Sequence, residues 1–259
     1  MQHLFDLSGK VALVTGGSRG IGEMIAEGFV ANGVRTYISS RSKEACDATA
    51  ARLSKQGECI SIVADLSTQQ GIEHLVAEIK AREEQLDILV NNAGATWGAP
   101  VDEFPEAGWD KVMNINLKSP FFLTQALLPL LDKSASAADP ARVIMIGSVD
   151  GLNVNELPTF SYGPSKAAIH HLARTLASHL AARNITVNAI APGPFPSKMM
   201  AHTLKNFGEK IRRGVPLKRI GQAEDMAGAA IFLASRAASY ITGVIIPVDG
   251  GITGAKTTL

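Results

Sequence analysis

Three side chains near the middle of the chain have the types and spacing needed to exchange a proton with a carbonyl oxygen. Tyr162 and Lys166 lie four residues apart in a segment, 160–182, whose pattern predicts a helix, so both are expected on one helix face. A tyrosine with its ordinary pKa of ~10 is a poor base at neutral pH. A lysine about 4 Å away, at an effective dielectric of ~20, would favour the phenolate by roughly 4 kcal/mol before desolvation is counted. We therefore expect Lys166 to bring Tyr162 into a useful range for acid–base catalysis, with Ser148 donating a hydrogen bond to the same oxygen.

A glycine-rich loop near the start of the chain has the composition of a phosphate-binding turn. Gly16, Gly20 and Gly22 stand between the apolar run Val11–Val14 and an amphipathic segment, 21–32, that predicts a helix. Glycine lets the backbone approach a phosphate closely, and the helix N-terminus then offers free N–H groups. The spacing differs from G-x-G-x-x-G, and three glycines alone are also typical of a structural turn. Their place between a strand and a helix favours dinucleotide binding. A cofactor loop in the same chain in turn favours a catalytic role for Tyr162 and Lys166 over the alternative that the pair lies on a solvated helix face.

The end of the second predicted strand indicates which nicotinamide cofactor is bound. An acid there would bind the ribose 2′-hydroxyl of NAD and repel a 2′-phosphate. The strand 36–39 is instead followed by Ser40 and Arg41, and Arg19 lies in the glycine loop. Two guanidinium groups around a phosphate dianion make charge-assisted hydrogen bonds, although exposed arginines are also typical of any soluble surface. The absence of a competing carboxylate favours NADP(H).

Short β-branched runs alternate with longer amphipathic segments along the whole chain. Strands buried on both faces and separated by helices predict an α/β fold, a Rossmann-like doubly wound parallel sheet flanked by helices on both faces. The loop 134–140 is too short to separate domains, so we predict one dinucleotide-binding reductase domain over 1–259. The predicted strands are Val11–Val14, Thr36–Ser39, Ile60–Ala64, Ile88–Val90, Val143–Ile146, Ile185–Ile190 and Gly243–Val248.

The composition narrows the classes of function and location. The 259 residues carry a net charge of +1, which provides no basic field for nucleic acid or for an anionic membrane. The first ten residues lack a secretory pattern, and no apolar run approaches the roughly 20 residues that span a bilayer. Cys46 and Cys59 predict neither a disulfide framework nor a metal site, and no histidine has metal-ligand spacing, so a cytoplasmic protein without a metal is expected.

These motifs together resemble the short-chain dehydrogenase/reductase family over about residues 9–251. Asn91–Gly94 resembles the family's loop after the fourth strand, and Val248–Gly251 its C-terminal signature. Asp65-Leu66 is similar to the family's adenine-contacting acid and its neighbour. Pro192-Gly193 followed by Ser197 is similar to the loop beside the nicotinamide, with Ser where Thr is usual. The resemblance implies that the chain interconverts a ketone and a secondary alcohol.

The resemblance also implies a full set of site residues. Asn116 matches the fourth catalytic position, which holds a water that links the lysine to solvent, and Lys166 would also bind the nicotinamide ribose. The catalytic set is Asn116, Ser148, Tyr162 and Lys166. The cofactor-binding set is Gly16, Ser18, Arg19, Gly20, Ile21, Gly22, Ser40, Arg41, Asp65, Leu66, Asn92, Ala93, Gly94, Tyr162, Lys166, Pro192, Gly193, Phe195 and Ser197.

The substrate is expected under a lid over about 194–215. This segment carries Phe195, Met199 and Met200 among basic residues, which suits an acyl chain on an anionic carrier. The chain looks most like the β-ketoacyl (3-oxoacyl) reductases of the family, which implies reduction of a 3-oxoacyl thioester. Those reductases dock acyl carrier protein through two arginines. One matches Arg183, but the other falls in the loop 134–140, which has no base, so a coenzyme A ester or a free ketone stays open as the alternative.

Two other functions and one assembly complete the expectations. The chain could act on a polyol, sugar acid or cyclic alcohol, or it could sense NADPH without turnover, although the intact Ser148, Tyr162 and Lys166 argue against a sensor. The helices near 109–131 and 160–182 carry more apolar residues than one sheet face covers. Family members pair such helices across two-fold axes, which implies a homotetramer.

Overall fold

Seven parallel strands form one sheet at the centre of the molecule. The structure, a computed structural model, describes residues 3–197 and 200–255. The strand order is β3-β2-β1-β4-β5-β6-β7, and every neighbouring pair is parallel. The strands are β1 Val11–Thr15, β2 Arg35–Ser40, β3 Cys59–Val63, β4 Ile88–Asn91, β5 Ala141–Ile146, β6 Ile185–Pro192 and β7 Ile245–Val248. The predicted doubly wound α/β fold is confirmed.

Helices cover both faces of this sheet. They are α1 Gly20–Ala31, α2 Lys43–Leu53, α3 Gln69–Lys80, α4 Glu106–Met113, α5 Ser119–Ser134, α6 Tyr162–Leu180, α7 Ala201–Gly214 and α8 Ala223–Ala234. Among the described residues, no helix combines the length and the apolar character needed to cross a membrane. Lys198 and Met199 of the predicted lid lie outside the described residues.

The two hydrophobic cores follow from the period of two in a strand. In β1, Leu13 contributes to the core that contains side chains of α3, α5 and α6. Its neighbours Ala12 and Val14 contribute to the opposite core, with side chains of α1, α2 and α8. Since both faces of the strand are buried, apolar residues occupy consecutive positions, which is why the strands are recognisable as continuous apolar runs.

Three predicted boundaries differ from the structure for local reasons. The helix expected from Phe160 begins at Tyr162, because a turn in which the Tyr162 N–H donates to the Thr159 carbonyl at 2.9 Å precedes it. The last strand begins at Ile245, since Gly243 has a φ of +77° that no strand continues. The helical region near 109–131 is divided by a π-helical turn over Asn114–Lys118.

The strand order creates a crevice at the carboxyl ends of β1 and β4. Strand β1 pairs with β2 on one side and with β4 on the other, so the chain leaves β1 and β4 toward opposite faces of the sheet. Loops that follow neighbouring parallel strands meet at this edge and leave an opening between them. The predicted glycine loop and the loop that starts at Asn92 follow these two strands, so the fold brings them together.

Candidate active site

A cleft of about 730 Å³ lies at the carboxyl edge of the sheet. It brings together loops that are far apart in the sequence, from the glycine loop to the segment before α7. Of the predicted site residues, all except Gly22 and Asn116 line it. Those that do are Gly16, Ser18, Arg19, Gly20, Ile21, Ser40, Arg41, Asp65, Leu66, Asn92, Ala93, Gly94, Ser148, Tyr162, Lys166, Pro192, Gly193, Phe195 and Ser197.

The glycine loop has the backbone geometry of a close-approach turn. Gly16 and Gly20 have φ angles of +65° and +57°, a region that favours glycine. A Cβ on Gly16 would lie 2.8 Å from Asn92 Nδ2, and a Cβ on Gly22 would overlap the Gly16 carbonyl oxygen. Gly22 therefore lies behind the loop, where it allows α1 to pack against it. The first N–H groups of α1 are left for a phosphate, which fits the pyrophosphate of a dinucleotide.

Thr15 joins the glycine loop to the end of β4, a role that was not predicted. Its hydroxyl donates to the Val90 carbonyl at 3.2 Å and accepts from the backbone N–H groups of Asn92 and Ala93 at 2.9 and 3.0 Å. The Asn92 amide in turn donates to the Thr15 carbonyl at 2.8 Å. A hydroxyl residue directly before the glycine loop was the available signal. These bonds hold two walls of the cleft at a fixed separation.

Two exposed arginines stand at the end of the cleft next to β2. Arg19 and Arg41 line it together with Ser40, whose hydroxyl donates to the Ser42 carbonyl at 3.2 Å. Within residues 3–197 and 200–255, neither guanidinium pairs with a carboxylate. Five N–H donors on each group are thus available for an anion. This set fits the 2′-phosphate of NADP(H).

The opposite wall includes the loop after β6. A Cβ on Gly193 would lie 2.8 Å from Asp249 Cα, so the strand end is packed against the C-terminal signature segment. Ser197 lies over the glycine loop, 3.2 Å from the position of a Cβ on Gly20. Phe195, predicted as part of a mobile lid, is 2 % exposed and packs against Gly221, so it anchors the segment instead.

Tyr162 and Ser148, the two predicted hydroxyl groups, lie next to each other in the cleft. Tyr162 opens the first turn of α6 and remains partly exposed to the cleft, and Ser148 directly follows the strand β5 and Gly147. Burial raises the pKa of Tyr162 to about 12, and a hydrogen bond with Ser148 opposes this rise. The expectation that Lys166 brings this pKa into a lower range is wrong for the protein alone, because desolvation dominates. A phenol that is protonated at neutral pH is a general acid.

Lys166 lies beside the tyrosine, with its ammonium next to the ring. Its Nζ is 5.6 Å from the centroid of the Tyr162 ring and donates to the Ile146 carbonyl at 2.8 Å. The residue is 5 % exposed, and burial lowers the pKa of its ammonium to about 8, opposed by the charge of Asp150. The lysine therefore remains mainly charged at neutral pH, next to the group that must release a proton.

Asn116 supports this end of the cleft from behind. It lies in the π-helical turn, where an extra residue re-aims side chains, and is 2 % exposed. Its Oδ1 accepts from the Ala95 N–H at 2.8 Å, and its Nδ2 donates to Ser165 Oγ at 2.9 Å. A Cβ on Gly94 would lie 3.2 Å from Asn116 Oδ1 and 3.8 Å from Lys166 Nζ, so both polar groups pack close to this glycine.

Several residues of the cleft were not named individually in the sequence-based prediction. Asp150 carries a carboxylate two positions after Ser148, and its Oδ2 accepts from Asn155 Nδ2 at 2.7 Å. Burial raises the pKa of Asp150, opposed by this hydrogen bond and by the Lys166 charge. The short distance in sequence from Ser148 was a signal for Asp150. The other lining residues include Leu157 and Thr159 from the loop 149–160, which was expected to complete the pocket, Thr203 from α7 in the predicted lid, and Lys111 from α4.

His170 is buried one helical turn after Lys166 and fits against Gly147. Burial lowers the pKa of its imidazole to about 4, so it is neutral, and a Cβ on Gly147 would overlap its Nε2. In the part of the chain that the structure describes, no three His, Cys, Asp or Glu side chains are grouped as metal ligands.

Comparison with known proteins supports the same chemistry. The family model described as Enoyl-(Acyl carrier protein) reductase matches residues 16–253. The chain is 50 % identical over 253 residues to the "Rhamnolipids biosynthesis 3-oxoacyl-[acyl-carrier-protein] reductase" of Pseudomonas aeruginosa, covering 97 % of this chain and 99 % of that protein. It is 33 % identical over 258 residues to a gluconate 5-dehydrogenase of Gluconobacter oxydans, covering 98 % of this chain and 99 % of the relative.

A solved structure has the same fold. The "Pseudomonas aeruginosa RhlG/NADP active-site complex" superposes with a TM-score of 0.94 at 49 % identity, covering 98 % of this chain and all of that one. The sheet, the glycine loop and the cleft described above therefore belong to an architecture that holds NADP in that relative.

Proposed function

The chain belongs to the short-chain dehydrogenase/reductase family, and we propose that it is an NADP(H)-dependent oxidoreductase that reduces the ketone of a 3-oxoacyl thioester to the 3-hydroxy product. The observation that carries the proposal is that one cleft is lined by Ser148 and Tyr162 at one end and by the glycine loop, Arg19 and Arg41 at the other. A cofactor bound along the cleft and a ketone beside the hydroxyls would be adjacent.

The chain's own residues supply the proton. When bound, NADPH supplies the hydride that goes to the carbonyl carbon. Ser148 and Tyr162 donate hydrogen bonds to the ketone oxygen, and Tyr162 transfers its proton to that oxygen as the alcohol forms. The nearby Lys166 ammonium stabilises the phenolate left behind, since its pKa of about 8 keeps it charged at neutral pH. Asn116 holds the surrounding backbone in place.

The relatives support two substrate classes, of which we favour the thioester. The chain is 50 % identical in sequence to a 3-oxoacyl reductase but 33 % identical to a gluconate 5-dehydrogenase. Gluconate is an anion, and the catalytic end of the cleft carries the Asp150 carboxylate. The family description names an enoyl reductase, but two hydroxyls that converge on one atom suit a ketone oxygen better than alkene carbons, which have no lone pairs.

Purified protein and a panel of substrates test this proposal. We expect NADPH oxidation, followed by absorbance, with acetoacetyl-coenzyme A and much less with crotonyl-coenzyme A, 5-ketogluconate or cyclohexanone. Clear activity on sugar acids or cyclic ketones with none on any 3-oxoacyl thioester would overturn the substrate assignment and leave the reaction type intact.

Carrier-protein docking has little support at the surface. Arg183 Nε donates to Asp132 Oδ1 at 2.8 Å, so its guanidinium is already paired. In the loop 134–140, Asp139 accepts from Lys10 Nζ at 2.6 Å. We therefore propose that coenzyme A esters and carrier-bound substrates of equal chain length are turned over at similar rates.

We propose that the chain is one reductase domain whose lid, about residues 194–215, carries α7. Met200 and Thr203 from this segment line the cleft, which supports a role in covering the substrate.

The two cysteines, Cys46 and Cys59, are free and buried, which supports a reducing compartment, the cytoplasm.

The arginine pair leads to a prediction about cofactor choice. Arg41→Asp replaces a free guanidinium by a carboxylate, so we expect kcat/KM for NADPH to fall by about 100-fold and the relative use of NADH to rise. Steady-state kinetics with both cofactors measure this. Arg236→Asp, at an exposed position away from the cleft, is the matched control. A wild-type preference for NADH would contradict the role of Arg19 and Arg41.

We propose that the enzyme assembles as a homotetramer. Large apolar side chains are exposed on α4, on and after α7 and before the edge strand β7, namely Trp109, Phe207, Leu217, Tyr240 and Val244. Exposed apolar groups of this kind are typical of surfaces covered by another chain. We expect light scattering to report the mass of four 27.3 kDa chains, and a monomer at micromolar concentration would contradict the proposal.

A further inference from the structure

The catalytic end of the cleft carries a negative charge that the reaction itself does not need. Among the described residues, two acids line the cleft: Asp65 at the end of β3, where the nucleotide is expected, and Asp150 beside the catalytic groups. Asp150 lies in a short 3₁₀ turn, Val149–Gly151, which packs against the first turns of α6. Its side chain therefore lines the same cleft as Ser148, Tyr162 and Lys166.

The contacts of Asp150 fix both its backbone and its side chain. Its N–H donates to Ser148 Oγ at 3.1 Å. Its Oδ2 accepts from Asn155 Nδ2 at 2.7 Å. The charge of Asp150 acts on both Tyr162 and Lys166, raising the pKa of each. The carboxylate is thus close enough to influence both catalytic groups electrostatically.

The charges around the substrate position are distributed unevenly. The Lys166 ammonium is buried, donates to the Ile146 carbonyl and is balanced by Asp150. Among the described residues, the second lysine that lines the cleft is Lys111, which is exposed and lies over the Trp97 ring, 5.0 Å from its centroid. A substrate that is neutral at its ketone and anionic at a distance matches this pattern, whereas a carboxylate near the ketone would face Asp150.

We propose that Asp150 is a specificity-determining residue that excludes substrates with a carboxylate next to the reacting ketone, such as free 3-oxo acids and sugar acids. The inference rests on the proposed ketone reductase function. Repulsion between two like charges a few ångströms apart in a partly buried site lowers binding of the anion by about tenfold or more. A neutral thioester or ester of the same length is not affected.

The test compares an anionic substrate, acetoacetate, with its neutral ethyl ester, ethyl acetoacetate. In Asp150→Asn the new Oδ1 still accepts from Asn155, while the negative charge is lost. We expect the ratio of kcat/KM for acetoacetate to that for ethyl acetoacetate to rise by about tenfold or more, chiefly through the anion. Asp102→Asn, which removes an exposed acid that does not line the cleft, is expected to leave this ratio unchanged.

Every outcome decides the inference. A ratio within about twofold of wild type in folded Asp150→Asn would overturn it, since a tenfold change is expected. Asp150→Ser provides a second neutral variant if the asparagine does not fold. Loss of activity on both substrates in a folded variant would also overturn it, because Asp150 would then serve the reaction itself.

The same design separates this inference from the proposed substrate. If wild type reduces cyclic ketones but no 3-oxoacyl thioester, the substrate assignment fails. The anionic 3-oxocyclohexane carboxylate and its neutral methyl ester then replace the first two substrates. We expect Asp150→Asn to raise the ratio of kcat/KM for this anion to that for its ester by the same factor. The two hypotheses therefore fail on different measurements.

Discussion

Replacing Tyr162 with phenylalanine is expected to lower kcat for ketone reduction by about 1,000-fold, while NADPH still binds. The hydroxyl faces the cleft beside Ser148, and its pKa of about 12 keeps it protonated and ready to donate at neutral pH. Phenylalanine fills the same space without the proton. Turnover and NADPH affinity, measured separately, divide the chemical step from binding.

The chain offers a matched control for this change. Tyr240 is fully exposed and does not line the cleft, so Tyr240→Phe removes the same atom away from the site. It is expected to retain wild-type kcat. Near-normal kcat in Tyr162→Phe would show that another group supplies the proton.

Lys166→Ala is expected to reduce both kcat and NADPH affinity, with kcat falling by about 100-fold or more. In the proposed mechanism, the buried ammonium stabilises the phenolate that forms when Tyr162 donates its proton, and it also binds the nicotinamide ribose. Lys80→Ala, on the exposed end of α3, is the control and is expected to change neither value. Loss of turnover with unchanged NADPH affinity would contradict the double role.

The pH profile gives an independent measure of the same lysine. Burial lowers the pKa of Lys166 to about 8, so its charge is present below that pH and is lost as the pH rises through it. We therefore expect wild-type kcat to decline above pH about 8. The residual activity of Lys166→Ala is expected to lack this decline, since no ammonium remains there to titrate.

Much of the fold could be predicted because its signals are local. The apolar run Val11–Val14 and its counterparts identified the strands to within two residues, since a strand buried on both faces needs consecutive apolar side chains. Interruptions within helices and the first residues of strands were less predictable. The π-helical turn at Asn114–Lys118 and the start of β7 at Ile245 depend on packing and on the φ of Gly243, which apolar patterning does not specify.

The candidate site could be predicted in part for the same reason. The four-residue spacing of Tyr162 and Lys166 is enough to predict that both lie on one helix, which is α6, and the position of the glycine loop after a strand predicts its place at the start of α1. Asp150 was missed because its importance comes from its neighbours in space, Asn155 and Lys166, which belong to different segments.

The sequence by itself determined the order of strands and helices, the family resemblance, the choice of candidate catalytic residues and the preference for a cofactor with a 2′-phosphate. Each of these depends on residue types at short spacings. Only the tertiary structure decided the direction in which the pKa of Tyr162 is shifted, the 5.6 Å separation between the Lys166 ammonium and the Tyr162 ring, and the place of the Asp150 carboxylate in the same cleft. Desolvation is summed over all atoms around a group, and those atoms come from strands and loops distant in the chain. The spacing of two residues along one helix therefore cannot predict the pKa of Tyr162.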